Sequence, residues 1–301
     1  MRIAVTGTLG QVAQALQERG PARGVEIVAL GRPALDLMAP ETIGPALRSA
    51  KADVIVNAAA YTAVDKAEGE PEIADAVNAR GAGAVAAAAA ALGVPVVHLS
   101  TDYVFAGDLD RPYREDDPTG PTGAYGRSKL AGEAAVAAAT PDHVILRTAW
   151  VYSPFGANFV KTMLRVAATR DTVTVVADQH GSPTSALDIA DAVLQVCSNL
   201  QSRPAEASLR GVFHMAGTGY TTWAGFAQAI FEASAAHGGP AARVDSIPTS
   251  GYPTPARRPA NSRLDCGKLL AVHGVGLPEW RASTAATVER LVAAAVQEHQ
   301  R

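Results

Sequence analysis

Cysteine is scarce: Cys197 and Cys266 are the only two in the chain, far apart and in no metal-ligand spacing. That excludes a disulfide framework and a thiolate zinc site, and it fits a reducing compartment with both thiols acting as small buried hydrophobes. An excess of charge of either sign is missing too. With 18% charged residues and a net charge of -3, the chain offers nucleic acid no electrostatic footprint. Long apolar runs are absent as well, the nearest being the alanine-rich stretch from Gly83 to Val97, broken by Gly93 and Pro95. It is too short and too weakly apolar to cross a bilayer, so no membrane partner is expected. Met1 to Gly10 runs straight into a strand and a glycine turn, leaving no room for a secretory leader. A cytoplasmic location is expected. His98, His180 and His214 form no spaced set and read as structural, with no metal site.

What is present is a large apolar fraction, 48% of 301 residues, enough for a sizeable core or for one domain with an attached lobe. In the first half, short β-branched runs alternate with helical patterns, the rhythm of a parallel α/β sheet. Strands are expected at Arg2 to Thr6, Glu26 to Leu30, Val54 to Asn57, Val94 to Ser100 and His143 to Thr148. Helices are expected near Gln11 to Arg19, Pro40 to Ala50, Pro71 to Leu92 and Gly126 to Ala139. From Trp150 onward proline- and glycine-rich loops loosen the rhythm, although Asp188 to Leu200 reads as a helix and Gly211 to Ala216 as a strand. The expected fold is thus an α/β, Rossmann-like, doubly wound parallel sheet with a smaller C-terminal substrate-binding lobe. Residues 1–149, with 186–216 returning to them, would form the cofactor domain, and 150–185 with 217–301 the substrate domain.

After the first strand comes Thr6-Gly7-Thr8-Leu9-Gly10-Gln11-Val12-Ala13. Gly7 and Gly10 permit a tight turn and close approach of a pyrophosphate to the amides of the next helix, the context of a dinucleotide fingerprint. Ala13 stands where a third glycine is usual. The second strand ends in Gly31-Arg32 rather than an acidic residue. An arginine there can pair with a 2′-phosphate, which favours NADPH while leaving NADH possible. The alternative for Arg32 is a solvated loop charge. Asn57-Ala58-Ala59-Ala60 at the end of strand three would let a cofactor, or equally a helix, pass closely.

Tyr125 and Lys129 are four residues apart, on one face of a helix start. A chance Tyr-x-x-x-Lys is expected about 0.1 times in a chain of this composition. A phenol ionises near pH ~10, so a neighbouring ammonium would help it exchange a proton near neutrality. Lys129 can supply that charge and also hold ribose hydroxyls. Strand four ends in Ser100-Thr101-Asp102-Tyr103, where the ligand crevice of such a sheet lies, so Thr101 can donate a hydrogen bond to a carbonyl beside Tyr125. Together these residues point to hydride transfer onto a carbonyl.

Further segments carry a resemblance. Residues 54–68, Ser100 to Phe105, Arg147 to Tyr152, Asp178 to Thr184 and Tyr252 to Pro259, with the glycine turn and Tyr125/Lys129, are similar to the dTDP-4-dehydrorhamnose reductase family of extended short-chain dehydrogenases. The resemblance covers the whole chain. It implies NADPH-driven reduction of the 4-keto group of a nucleotide sugar, dTDP-4-dehydro-L-rhamnose, to dTDP-L-rhamnose. It further implies Thr101, Tyr125 and Lys129 as the catalytic trio, and Thr101, Asp102, Tyr125 and Trp150 against the substrate. Gly7, Gly10, Gln11, Val12, Asp36, Leu37, Ala59, Ala60, Tyr61 and Thr62 would hold the cofactor, with Asp36 beside the adenine. Arg258, in a proline-bounded loop with Arg257, suits the substrate diphosphate; the alternative is that both arginines form structural ion pairs. Leu187 stands where some members of the family carry a metal-bridging glutamate, so no bridging metal is expected and the chain is a monomer or a homodimer.

Two rival readings follow from the same scaffold. A sugar-nucleotide epimerase or dehydratase would keep its cofactor bound, and a dehydratase would need a carboxylate pair where Asp102 is followed by Tyr103. A non-catalytic regulatory subunit of the same fold is the other, and it sits poorly with intact Thr101, Tyr125 and Lys129.

Overall fold

The structure is a computed structural model describing residues 1–299. In chain order the first half holds β1 (Arg2–Thr6), α1 (Gln11–Ala22), β2 (Glu26–Leu30), α2 (Pro40–Ala50), β3 (Val54–Asn57), α3 (Val64–Ala67), α4 (Pro71–Asp75), α5 (Ala82–Leu92), β4 (Val96–Thr101), α6 (Ala124–Ala139) and β5 (His143–Thr148). The second half adds β6 (Val151–Tyr152), α7 (Phe159–Ala167), β7 (Thr172–Val176), β8 (His180–Gly181), β9 (Thr184–Ser185), α8 (Ala186–Ser202), β10 (Gly211–His214), β11 (Thr221–Thr222), α9 (Trp223–Ala236), β12 (Arg243–Ile247), α10 (Gly267–His273) and α11 (Trp280–His299).

Six strands form one parallel sheet in the order β10-β5-β4-β3-β1-β2. Its inner strands are apolar on both faces because helices cover both. Ile3, Val5, Val54, Val56, Val144 and Leu146 meet Ile189, Val193 and Cys197 of α8 on one side. Ala4, Ile55, Val96 and Ile145 meet Leu47, Val85 and Val136 of α2, α5 and α6 on the other. The doubly wound parallel sheet expected from the alternating pattern is present. Strand order reverses between β1 and β3, and in such sheets ligands bind outside the carboxyl ends of the strands at that switch point.

Helix boundaries depart from the sequence pattern where tertiary contacts intervene. The single helix expected over Pro71 to Leu92 contains a π-turn at Ala76–Gly81 between α4 and α5. Its buried Asn78 bonds the backbone N–H and C=O of Tyr61, at 2.8 and 3.0 Å, and the Ser128 hydroxyl at 3.0 Å. A π-turn re-aims one side chain out of helical register, often at a functional site. Helix α6 starts at Ala124, two residues before the expected Gly126, because Glu68 reaches across to accept its first N–H at 2.8 Å. Tyr125 therefore lies inside the first turn.

Residues 186–202 and 211–214 lie with the first half: α8 packs on α1, and β10 pairs with β5. The β7/β12 pair is also parallel and is covered by α7 and α9, with α11 packed on α9, around a core that includes Tyr152, Phe226, Phe231 and Trp280. Trp150 stacks on Trp223 with ring centroids 3.7 Å apart, at the edge of this core.

Candidate active site

A cleft of about 580 Å³ opens at the carboxyl ends of the strands. Gly10, Gln11 and Val12 line it from the β1–α1 turn, Ala60 and Thr62 from the loop after β3. Thr101, Asp102, Tyr125, Lys129 and Trp150 form the rest of the predicted set that meets there. Gly7 shapes the turn from behind. Its φ of +89° favours glycine, and a Cβ there would lie 3.5 Å from that of Ala59, so the turn passes close to the β3 loop. Gly10 caps α1 without a side-chain hydrogen bond, which leaves the helix's first amides for an anionic ligand. Gln11 accepts from Ser153 at 2.7 Å and Asn158 at 3.1 Å, tying this turn to the loop after β6.

Other residues expected at the cofactor lie outside the cleft lining. Arg32 is exposed beyond β2 and has no ion pair or hydrogen bond among the described residues, next to Gly31, whose Cβ position faces Thr8 at 3.2 Å. Asp36 accepts from Met38 N–H at 3.0 Å. Leu37 is buried in the core under α5, so its side chain serves packing. Tyr61 turns its hydroxyl to Glu70 at 2.6 Å.

Thr101 ends β4 with two bonds already made. Its hydroxyl donates to Asp102 Oδ1 at 3.0 Å and accepts from Tyr103 N–H at 3.2 Å. Asp102 is buried with Oδ2 unpartnered, and burial pushes its carboxyl up to about 6 against relief from Ser262 and Thr101. Tyr125 packs edge-on to Tyr103, with centroids 5.5 Å apart. Burial, then the charge of Asp102, raises its phenol above the ordinary range, with Thr101 acting in the opposite sense. The phenol is thus kept protonated. Lys129 is buried, donates to the Leu99 carbonyl at 2.7 Å, and is pushed down to about 8 by burial, opposed by Glu133. The lowering of the phenol that the Tyr125/Lys129 spacing suggests is not seen in this arrangement, because burial and then the charge of Asp102 raise it while Lys129 donates to Leu99.

A second cavity of about 350 Å³ adjoins the cleft and shares Tyr103. Asp65, Gln179, Tyr252 and Arg258 line it, bringing together three segments far apart in sequence. Residues 1–293 match the family model described as RmlD substrate binding domain. The chain belongs to the RmlD family. It is 55% identical over 284 residues to the dTDP-4-dehydrorhamnose reductase of Sinorhizobium fredii, covering 94% of this chain and 95% of that protein. Among solved structures it resembles a dTDP-4-dehydrorhamnose reductase from Clostridium acetobutylicum at TM-score 0.89 and 36% identity, covering 97% and 99% of the two chains. It also resembles the enzyme from Bacillus anthracis solved with NADP, at TM-score 0.87 and 33% identity over 95% and 98% of the chains.

In this RmlD-family chain, Arg258 pairs with Asp65 at 2.7 Å while its Nη1 is buried without a partner. The ion-pair alternative for Arg258 is therefore realised, and a donor remains. Arg257 is exposed. Trp150 takes a φ of +49° and presses on Gly181, where a Cβ would approach its ring to 2.4 Å.

Several supporting residues escape sequence reasoning. Asn78 ties the Tyr61 loop to α6 through Ser128. Glu133, one turn beyond Lys129, forms a buried pair with Arg147 of β5 at 2.7 Å and accepts from Ser100 at 2.5 Å. The alanine pattern around Glu133 gives no sign of this, although an acidic residue on the apolar face of α6 is itself a signal that a buried cation faces it.

Proposed function

We propose that this chain reduces the C4 keto group of dTDP-4-dehydro-L-rhamnose to dTDP-L-rhamnose with NADPH. The observation that carries the reading is one cleft that joins an uncapped helix N-terminus to Thr101, Tyr125 and Lys129. The full-length likeness to reductases of that name supplies the substrate class. The open amides of Gln11 and Val12 suit the cofactor's diphosphate, and unpaired Arg32 suits a 2′-phosphate. Bound there, the nicotinamide supplies the hydride.

Within the site, Thr101 turns its hydroxyl from Asp102 to the substrate carbonyl, and Tyr125 gives its retained proton to the developing alkoxide. Lys129 holds the nicotinamide ribose. Trp150 lies against the sugar, and Asp102 accepts from one of its hydroxyls. The free Nη1 of Arg258 points to the substrate diphosphate as its partner. Residues 1–149 with 186–216 form the cofactor domain in this reading, and 150–185 with 217–301 the substrate domain. The described helices include none long and apolar enough to cross a membrane, and a cytoplasmic location belongs to the same proposal. Tyr103 beside Asp102, in place of a second carboxylate, speaks against elimination chemistry. The test is NADPH oxidation followed at 340 nm: absorbance should fall only when a dTDP-4-keto-6-deoxyhexose is added. Unchanged absorbance at saturating substrate would refute the reading.

A further inference from the structure

Behind Lys129, three polar side chains cross the sheet ends in single file. Thr6, at the end of β1, accepts from the N–H groups of Ala58 and Ala59 at 3.1 and 3.0 Å. Both lone pairs of its hydroxyl are then taken, so its proton is all it can share with Asn57, 2.7 Å away. The facing atom of Asn57 must accept, which fixes it as the carbonyl Oδ1 and sends the amide Nδ2 toward His98. Asn57 Nδ2 lies 3.0 Å from His98 Nδ1 and donates to it. A neutral imidazole whose Nδ1 accepts carries its proton on Nε2. That Nε2 lies 3.4 Å from Lys129 Nζ.

We propose that Thr6, Asn57 and His98 form a tautomer lock that aims an N–H donor at Lys129 and so sets the protonation of the active-site lysine. An ammonium has three donors and no acceptor, whereas a neutral amine has a lone pair for His98 Nε2–H. The lock therefore favours the amine. It rests on the reading of Lys129 as an active-site group, and it makes His98 a positioning residue. The ring stays neutral because it is fully enclosed, and any charge on Lys129 only adds to that opposition. From its own helix Lys129 faces Glu133, which favours the ammonium, but Arg147 of β5 neutralises that carboxylate. From β4 it faces His98 and the Leu99 carbonyl, and Tyr125 stands one turn before it on α6. Chemistry that needs the ammonium is then lost as pH rises through the lysine's depressed pKa.

The ring nitrogens can be read directly in the full chain labelled with 15N-histidine, with the His98 signals assigned by their loss in His98→Gln. Long-range 1H–15N correlation should show a bare Nδ1 and a protonated Nε2, unchanged from pH 6 to 9. Protonated Nδ1 would overturn the lock. In Thr6→Val, which keeps the shape but frees the Asn57 amide to flip, the ring proton should move to Nδ1; a ring that keeps its proton on Nε2 overturns it as well. Kinetically, the alkaline limb of kcat/KM for NADPH should move at least about one pH unit higher in His98→Gln, tenfold in the acid constant, because the glutamine can turn Oε1 to Nζ. Thr6→Val should move the limb the same way and stands in if His98→Gln does not fold. A limb that stays put contradicts the proposal. The tautomer is read without turnover, so a failure of the reductase reading leaves it standing and is told apart from a failure of the lock.

Discussion

Tyr125 holds its proton because burial and Asp102 both oppose a phenolate, and a proton donor for a developing alkoxide benefits from that. Tyr125→Phe keeps the ring packed on Tyr103 and removes the proton. NADPH binding, followed by fluorescence titration, should persist while kcat falls roughly 10²–10⁴-fold; near-normal turnover would remove Tyr125 from the chemistry. Arg32→Ala tests the other end of the cofactor: the ratio of kcat/KM for NADPH over NADH should fall about tenfold or more, the worth of a lost charge-assisted contact. An unaltered ratio would leave Arg32 a solvated charge. Asp102 gives a pH signature. Its carboxyl rises from the usual 3.8 to about 6 on folding, so the folded protein binds a proton more readily than the unfolded chain. Stability from this group is present at low pH and is lost as pH rises from about 4 to 6. Asp102→Asn escapes that loss, so its Tm relative to the unsubstituted protein should be higher at pH 8 than at pH 5. An equal difference at both would show that the carboxyl is not buried as an acid.

Between elements, the decisive contact is the one among α6, β4 and β5. Glu133 and Arg147 are enclosed, with side chains 6% and 5% exposed, and Ser100 completes the carboxylate. Breaking such a pair from one side leaves an uncompensated buried charge. Arg147→Met should lower unfolding free energy in urea by about 3–5 kcal/mol, and Glu133→Leu added to it should recover much of the loss; a cost below about 1 kcal/mol would show that water reaches the pair. At this scale the sequence was unevenly readable. The strand β3, Val54–Asn57, was plain because its apolar run is continuous, and the Tyr125/Lys129 spacing because it repeats within one helical turn. The π-turn at Ala76–Gly81 and the early start of α6 were not, since each is set by a partner far along the chain, Tyr61 or Ser128 for Asn78 and Glu68 for Ala124. Periodicity reports which face of a helix is apolar, not what reaches its end.

Across the whole molecule, the sheet supplies a switch point between β1 and β3, and the second half of the chain meets it through Ser153 and Asn158 on Gln11, with Trp150 and Arg258 lining the cleft and the adjoining cavity. The Rossmann-like sheet was legible as alternating strands and helices. The second cavity was not, because Asp65, Gln179 and Arg258 acquire meaning only when α3 and two distant loops converge. Its chemistry is best decided on the product. Incubation with dTDP-4-dehydro-L-rhamnose and 4-deuterated NADPH should place one deuterium on C4 of dTDP-L-rhamnose, read by NMR of the isolated nucleotide sugar. Deuterium at another carbon, or recovery of unreduced or epimerised sugar with NADPH intact, would contradict a C4 reductase.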